Sequence, residues 1–127
     1  MNRAEAYAEL GMDNLALKDI NDFYSVRIVN YNPTNDAVTP AKIAAFYLTI
    51  ADPKQGLIRT ILDAKKAEFL QEGLRWFDVI RRDITVVHNT IDITGKETFA
   101  ELKAGDPRRI FQLPLEVKTS GVELNPR

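Results

Sequence analysis

Glu72-Gly73-Leu74-Arg75-Trp76-Phe77-Asp78-Val79 is the stretch on which the reading of the fold turns. Charged residues interrupt a dense apolar run, and a glycine sits among large side chains. At about 100° per residue, Leu62, Phe69, Trp76 and Ile80 fall on one line of a helical wheel, with Gly73 close beside it. Leu70, Leu74 and Phe77 form a second stripe. The pattern predicts a continuous helix over residues 55–83, buried on more than one side in its distal half. Trp76 could serve as a sugar-stacking platform, but its place on the most apolar line favours the core. Gly73 is expected where another backbone approaches the helix and a side chain would overpack.

Working outward, residues 3–10 read as a helix of alanines, glutamates and a tyrosine, and Gly11 is placed to end it in a left-handed conformation. Asp13 or Asn14 is expected to cap a second helix from about residue 15 to 23. Tyr7, Gly11, Ala16, Ile20 and Phe23 follow the spacing of a tetratricopeptide hairpin, in which small residues let two helices approach closely. A lone hairpin cannot bury its apolar face, so further helices must stack on it. Residues 30–36 read as a loop. Thr39-Pro40 and Asp52-Pro53 are helix starts, each a capping oxygen followed by a proline.

Beyond Asp83 the character changes. Residues 85–87, 91–93 and 110–113 are short β-prone pieces, and residues 103–106 form a turn at Gly105. Residues 113–121 suggest a short helical turn ended by Gly121, and residues 123–127 an extended tail. The fold class is therefore mainly α. A tetratricopeptide-like hairpin and long helices are followed by a short irregular, β-prone carboxy-terminal segment, in a single domain over residues 1–127.

Composition narrows the function. Of 127 residues, 45% are hydrophobic and 28% charged, ordinary for a globular domain. A net charge of −1 supplies no field to recruit nucleic acid or an anionic membrane. Cysteine is absent, which removes disulfides, thiolate metal sites and thiol catalysis. The most apolar window, residues 43–51, is too short for a bilayer span of about 20 residues. Residues 1–10 are charged and do not read as a signal peptide.

Few residues suggest chemistry. Glu68 and Glu72 are one turn apart with Asp78 nearby, and paired carboxylates are what a glycosidase needs. Arg75 lies three residues from Glu72, and Arg81 and Arg82 lie three and four from Asp78. Those are helix ion-pair spacings, so a structural network is the favoured reading. His88, the sole histidine, has no companions for a zinc set and reads as a surface or turn residue. Ser25 and Ser120 sit in no nucleophile elbow, and no glycine loop cradles a phosphate. No metal or cofactor is expected. Tyr31, between Asn30 and Asn32, offers an aromatic face with flanking amides that suits a carbohydrate; a plain polar turn is the competing and preferred reading.

Three segments resemble the SusD/RagB family. Arg3 to Gly11 with Ala16-Leu17-Lys18-Asp19-Ile20-Asn21 is similar to that family's last tetratricopeptide-like hairpin. Ile61-Leu62 and Glu68-Phe69, followed by Glu72-Gly73-Leu74-Arg75-Trp76-Phe77-Asp78, resembles its most diagnostic segment. Asp106-Pro107-Arg108-Arg109-Ile110-Phe111-Gln112-Leu113-Pro114, closing on Asn125-Pro126-Arg127, resembles the end of one subgroup. The chain departs from the pattern at Ala64-Lys65-Lys66, where the family usually carries Glu-Arg.

The resemblance implies part of an outer-membrane nutrient-binding lipoprotein. Such a protein captures oligosaccharides or polysaccharides for import through a SusC-like TonB-dependent transporter, and breaks no bond. Glu72, Gly73, Arg75, Trp76 and Asp78 would then be a structural signature, and Asn30, Tyr31 and Asn32 candidate glycan contacts. Members are several times longer, so this chain is expected to be a carboxy-terminal part. Alone, it is expected to self-associate through Tyr7, Leu10, Ile20 and Phe23, and to bind glycans weakly or not at all. Two other readings stand beside this one: a free-standing helical interaction module, and a small enzyme using Glu68, Glu72 or Asp78.

Overall fold

At Asn32-Pro33, Thr39-Pro40, Asp52-Pro53 and Asp106-Pro107 a side chain that accepts a backbone hydrogen bond precedes a proline, and each pair starts a helical element. In the computed structural model, which describes residues 1–126, Asn32 Oδ1 accepts from the Thr34 N–H at 2.9 Å and Thr39 Oγ1 from the Lys42 N–H at 3.3 Å. Asp52 Oδ1 accepts from the Lys54 N–H at 3.0 Å, and Asp106 Oδ1 from the Arg108 N–H at 2.9 Å. Proline loses nothing at a first helical position, where its missing N–H would have had no intrahelical partner. The sequence signals at Thr39 and Asp52 were legible. Asn32 starts a one-turn helix inside the segment read as loop, and Asp106 starts a 3-10 turn.

The chain divides into two compact units, Met1–Leu70 and Gln71–Arg127. The first holds α1 (Asn2–Glu9), α2 (Asp13–Arg27), α3 (Pro33–Asp36), α4 (Pro40–Phe46) and α5 (Pro53–Glu68). Gly11 is left-handed at φ +72°, as expected for the hairpin. Neither Asp13 nor Asn14 caps α2. Met12 holds that position without a side-chain bond, and the helix runs on to Arg27. α5 packs on α1, α2 and α4. Ala4, Ala8 and Ala16 are fully buried and let α1 and α2 approach, while Ile20 and Ile61 are the largest fully buried side chains. Ile20 was expected on an open hairpin face; with α5 in place it is covered, although Leu10 stays 70% exposed. Glu5 is buried as well, and the Lys65 ammonium from α5 lies 3.4 Å from its carboxylate.

The close helix approach that the sequence placed at Gly73 occurs at Gly56. A Cβ there would meet Ile43 Cγ2 at 2.8 Å, where α4 crosses α5. Gly73 is exposed, and a Cβ added to it meets nothing within 4 Å. Its φ is +75°, and Gln71 before it is at +67°. Two left-handed residues cannot lie within a right-handed helix. The predicted helix over residues 55–83 is therefore two helices: α5 ends at Glu68, and α6 spans Arg75–Arg81. Lys65 and Lys66 occupy the last turn of α5, where cations suit the negative end of the helix dipole. The apolar line is correspondingly split. Leu62 is buried, Phe69 and Trp76 are half-buried, and Ile80 is exposed, as are Leu70, Leu74 and Phe77 of the second stripe.

The second unit holds α6 and an antiparallel hairpin of β1 (Val86–Ile91) and β2 (Glu97–Leu102), registered from Val86 opposite Leu102 to Ile91 opposite Glu97. Asp92 makes the turn: its Oδ1 accepts from the Thr94 N–H at 2.8 Å and the Lys96 N–H at 3.0 Å, and Gly95 follows at φ +82°. β2 was not foreseen, and residues 110–113, read as β-prone, join no strand. Arg109 is buried among this unit's backbone. It donates to the carbonyls of Val79 at 3.2 Å, Ile84 at 2.7 Å and Leu102 at 2.9 Å. One guanidinium thus ties the end of α6, the start of β1 and the end of β2. Farther on, Gln112 and Asn125 exchange two bonds of 3.0 Å, fastening the tail. A 3-10 stretch, Leu115–Ser120, ends at left-handed Gly121, as read from the sequence. Arg127, the last residue of the expected tail, lies outside the described residues.

Candidate functional site

In the helical unit, α2, α4, α5 and the segment around residues 35–38 enclose an open groove of about 620 Å³. Helical spacing puts its residues on shared faces: Phe23, Tyr24 and Arg27 on α2, Ile43, Phe46 and Tyr47 at α4, and Thr60, Asp63, Ala64, Ala67 and Glu68 on α5. The wall at residues 35–38 is tied on both sides. Asn21 of α2 exchanges two bonds with the backbone of Val38, at 2.7 and 3.0 Å. Lys42 of α4 donates to the carbonyls of Asn35 and Ala37 at 2.6 and 2.7 Å.

The floor centres on Asp63. Its Oδ2 accepts from the Tyr47 hydroxyl at 2.8 Å and from Arg59 Nε at 3.0 Å. Burial, then the bond to Asp63, pushes the Tyr47 hydroxyl up to about 12. Burial, then the Asp63 charge, raises Tyr24 as well. Both tyrosines keep their protons at neutral pH, and Tyr47 donates its own to Asp63. At the other end Arg27 pairs with Glu68, and its guanidinium lies 5.8 Å from the centroid of the Phe23 ring. Phe46 stands 77% exposed, edge-on to Tyr47 with ring centroids 4.8 Å apart.

The three residues singled out as glycan contacts do not line this groove. They sit between Ile28 and Asn35, which do. Asn30 is exposed and left-handed at φ +56°, Tyr31 is half-buried, and the carbonyl oxygen of the Asn32 side chain is committed to its cap. The signal for the groove was present elsewhere. The dipeptide Phe-Tyr occurs twice, as Phe23-Tyr24 and Phe46-Tyr47, and the fold brings both copies to one depression.

Two of the three carboxylates considered for hydrolysis are held in ion pairs. Glu68 pairs with Arg27, and Glu72 is exposed ahead of α6. Asp78 is buried, accepting from Arg81 at 2.5 and 3.0 Å with Arg75 at 4.0 Å. The spacing of Arg75 to Glu72 carries no helical meaning, because Glu72 lies outside the helix; Asp78 takes that arginine instead. Trp76 is half-buried rather than a full core residue, and its ring centroid lies 6.0 Å from that of Phe111. His88 is exposed on β1. Among the described residues, no group of three or more potential ligands could hold a metal ion, and no helix is long and apolar enough to cross a membrane.

The model of the SusD family matches residues 1–113 of the chain. Among curated proteins and among solved structures, none matches it.

Proposed function

The chain belongs to the SusD family, and from that membership we propose that it is part of an outer-membrane nutrient-binding protein that captures oligosaccharides or polysaccharides for import through a TonB-dependent transporter. The family is a glycan-binding, non-catalytic one, typically of surface lipoproteins at the outer membrane. The observation that carries the reading is the length of the match, which runs from Met1 to Leu113 and so covers the first unit and most of the second. The pairing of Glu68 with Arg27 and of Asp78 with Arg81 supports a binding role over hydrolysis. In this reading Glu72, Gly73, Arg75, Trp76 and Asp78 shape the break between α5 and α6 and the start of α6, and contact no ligand. Asn30, Tyr31 and Asn32 are a candidate contact beside the groove, with the Asn32 amide nitrogen still available to a sugar oxygen.

The test is made on the protein tagged at its own locus and extracted from outer membranes. A TonB-dependent barrel should copurify, and the extract should be retarded in gels containing the polysaccharide being imported. Failure of both would sink the proposal. New reducing ends released from a glycan, and abolished by Glu72→Gln, would overturn the non-catalytic part alone.

A further inference from the structure

We infer that the groove between α2, α4 and α5 is a binding subsite for a neutral saccharide chain. Phe46 and Tyr47 face the apolar C–H surfaces of the sugar, and Asp63 accepts from its hydroxyls. The inference rests on the glycan-capture reading and names a place and a ligand class within it.

Four observations carry it. Its volume, about 620 Å³, falls within the range of about 300–1,000 Å³ usual for ligand pockets. The lining combines aromatic rings with carboxylates, which matches a ligand that is apolar on its faces and rich in hydroxyl donors at its edges. An apolar helix or acyl chain in the same place would strip water from Asp63 and Glu68 and return no hydrogen bond, a costly exchange.

The acceptor is also held in place beforehand. Tyr47 and Arg59 both bond Asp63 Oδ2, and Oδ1 carries no hydrogen bond among the described residues. The opposing wall is fastened by Asn21 and Lys42. Little ordering remains to be done on binding. Charge sets the class of sugar. The lining carries two cations, Arg27 and Lys42, against three carboxylates, Asp36, Asp63 and Glu68. Arg27 is already paired with Glu68, and Lys42 is spent on two carbonyls. Arg59 is spent on Asp63 in the same way, so no cation at the groove is left over for a uronate or sulfate.

The experiment uses the full 127-residue chain, titrated under NMR observation with neutral gluco-, xylo- and manno-oligosaccharides and with oligogalacturonate. At least one neutral series should shift resonances of α2, α4 and α5. Phe46→Ala should weaken that binding about tenfold or more, a loss of about 1.4 kcal/mol, with an unchanged circular dichroism spectrum because Phe46 is largely exposed. Asp63→Asn should do the same. Oligogalacturonate should bind at least about tenfold more weakly than the best neutral series. Neutral binding that survives Phe46→Ala overturns the groove assignment and leaves the capture reading standing. Silence toward every glycan, when the tagged protein from its own locus is retarded by polysaccharide, does the same. Tighter binding of oligogalacturonate, weakened by salt, overturns the neutral class. Loss of both barrel copurification and gel retardation falls on the capture reading itself.

Discussion

Between Met1 and Leu70 the buried side chains are mostly alanines and branched aliphatics; among the described residues of the second unit they are Val79, Asp78 and Arg109. The helical unit therefore draws on apolar burial, which is non-directional and proportional to area. The second unit contains a two-stranded hairpin whose residues are largely exposed, an arrangement with marginal stability by itself. It relies on directional bonds from one guanidinium to three carbonyls, and on the Gln112–Asn125 exchange. The contrast teaches that one sequence can use two kinds of cohesion in succession. The second kind is sensitive to single polar atoms.

The largest effect should come from the apolar side. Ile61 is fully buried on α5, so Ile61→Ala should cost about 3–4 kcal/mol in urea unfolding followed by helical circular dichroism. A loss below about 1 kcal/mol would mean that α5 is not the centre of that core. Arg109→Met comes next. Three carbonyls lose a charged donor, which should cost about 2–3 kcal/mol. Hydrogen exchange should accelerate in β1 and β2 while the amides of α1 to α5 keep their protection. Equal acceleration throughout would break the comparison, because it would make the two kinds of cohesion one cooperative whole.

Two glycines sharpen it further. Gly56→Ala and Gly73→Ala should each destabilise by about 1 kcal/mol, for different reasons. At Gly56 the added carbon strikes Ile43 Cγ2, held on a β-branched carbon with little freedom to yield. At Gly73 there is open space, and the cost is the left-handed backbone alone. Gly73→Asn should therefore recover most of the loss, since asparagine tolerates that region, whereas Gly56→Asn should be worse than alanine. Equal behaviour of the two asparagine variants would refute the distinction.

The smallest effect is one of pH. The bonds from Arg108, first its side chain and then its backbone N–H, hold the half-buried Asp106 carboxyl down to about 2. A carboxylate depressed on folding stabilises above its unfolded value of about 4, and that contribution is lost as pH falls toward about 2. The stability difference between the wild type and Asp106→Asn should thus be present at pH 5 and shrink through this window. A difference that grows on acidification would show the sign to be wrong.

Legibility in the sequence followed the same division. The hairpin of α1 and α2, Gly11, and the starts at Thr39 and Asp52 rest on local chemistry, where a few neighbouring residues decide the outcome. The family-like segments were readable for the same reason. The helix over residues 55–83 was not, because Gly73 and Gln71 both break it while a 3.6-residue apolar rhythm runs on across the break. Periodicity registers spacing and is blind to backbone handedness. β2 was missed because Glu97, Ala100, Glu101 and Leu102 have no strand preference of their own, and pairing with β1 overrides it. Arg109 and the groove escaped for a further reason. Their partners lie far along the chain: Val79 for Arg109, and Asp63 for Tyr47. The repeated Phe-Tyr pair was the one local trace of the groove.

The break between α5 and α6 also has a consequence for cleavage of the chain. Residues 70–74 are all exposed, and two of them are left-handed, so this stretch is not shielded as a helix would be. Exposed, irregular backbone is where endoproteases act first on folded proteins. Glu72 places a glutamate-specific cut site there, whereas Glu5 is buried within α1. A single scission after Glu72 would part the chain almost at its division into units. Every residue of the groove would stay on one product and Arg109 with its three carbonyls on the other. Trimming of this kind would take away the carboxy-terminal hairpin and leave every groove-lining side chain on the amino-terminal fragment.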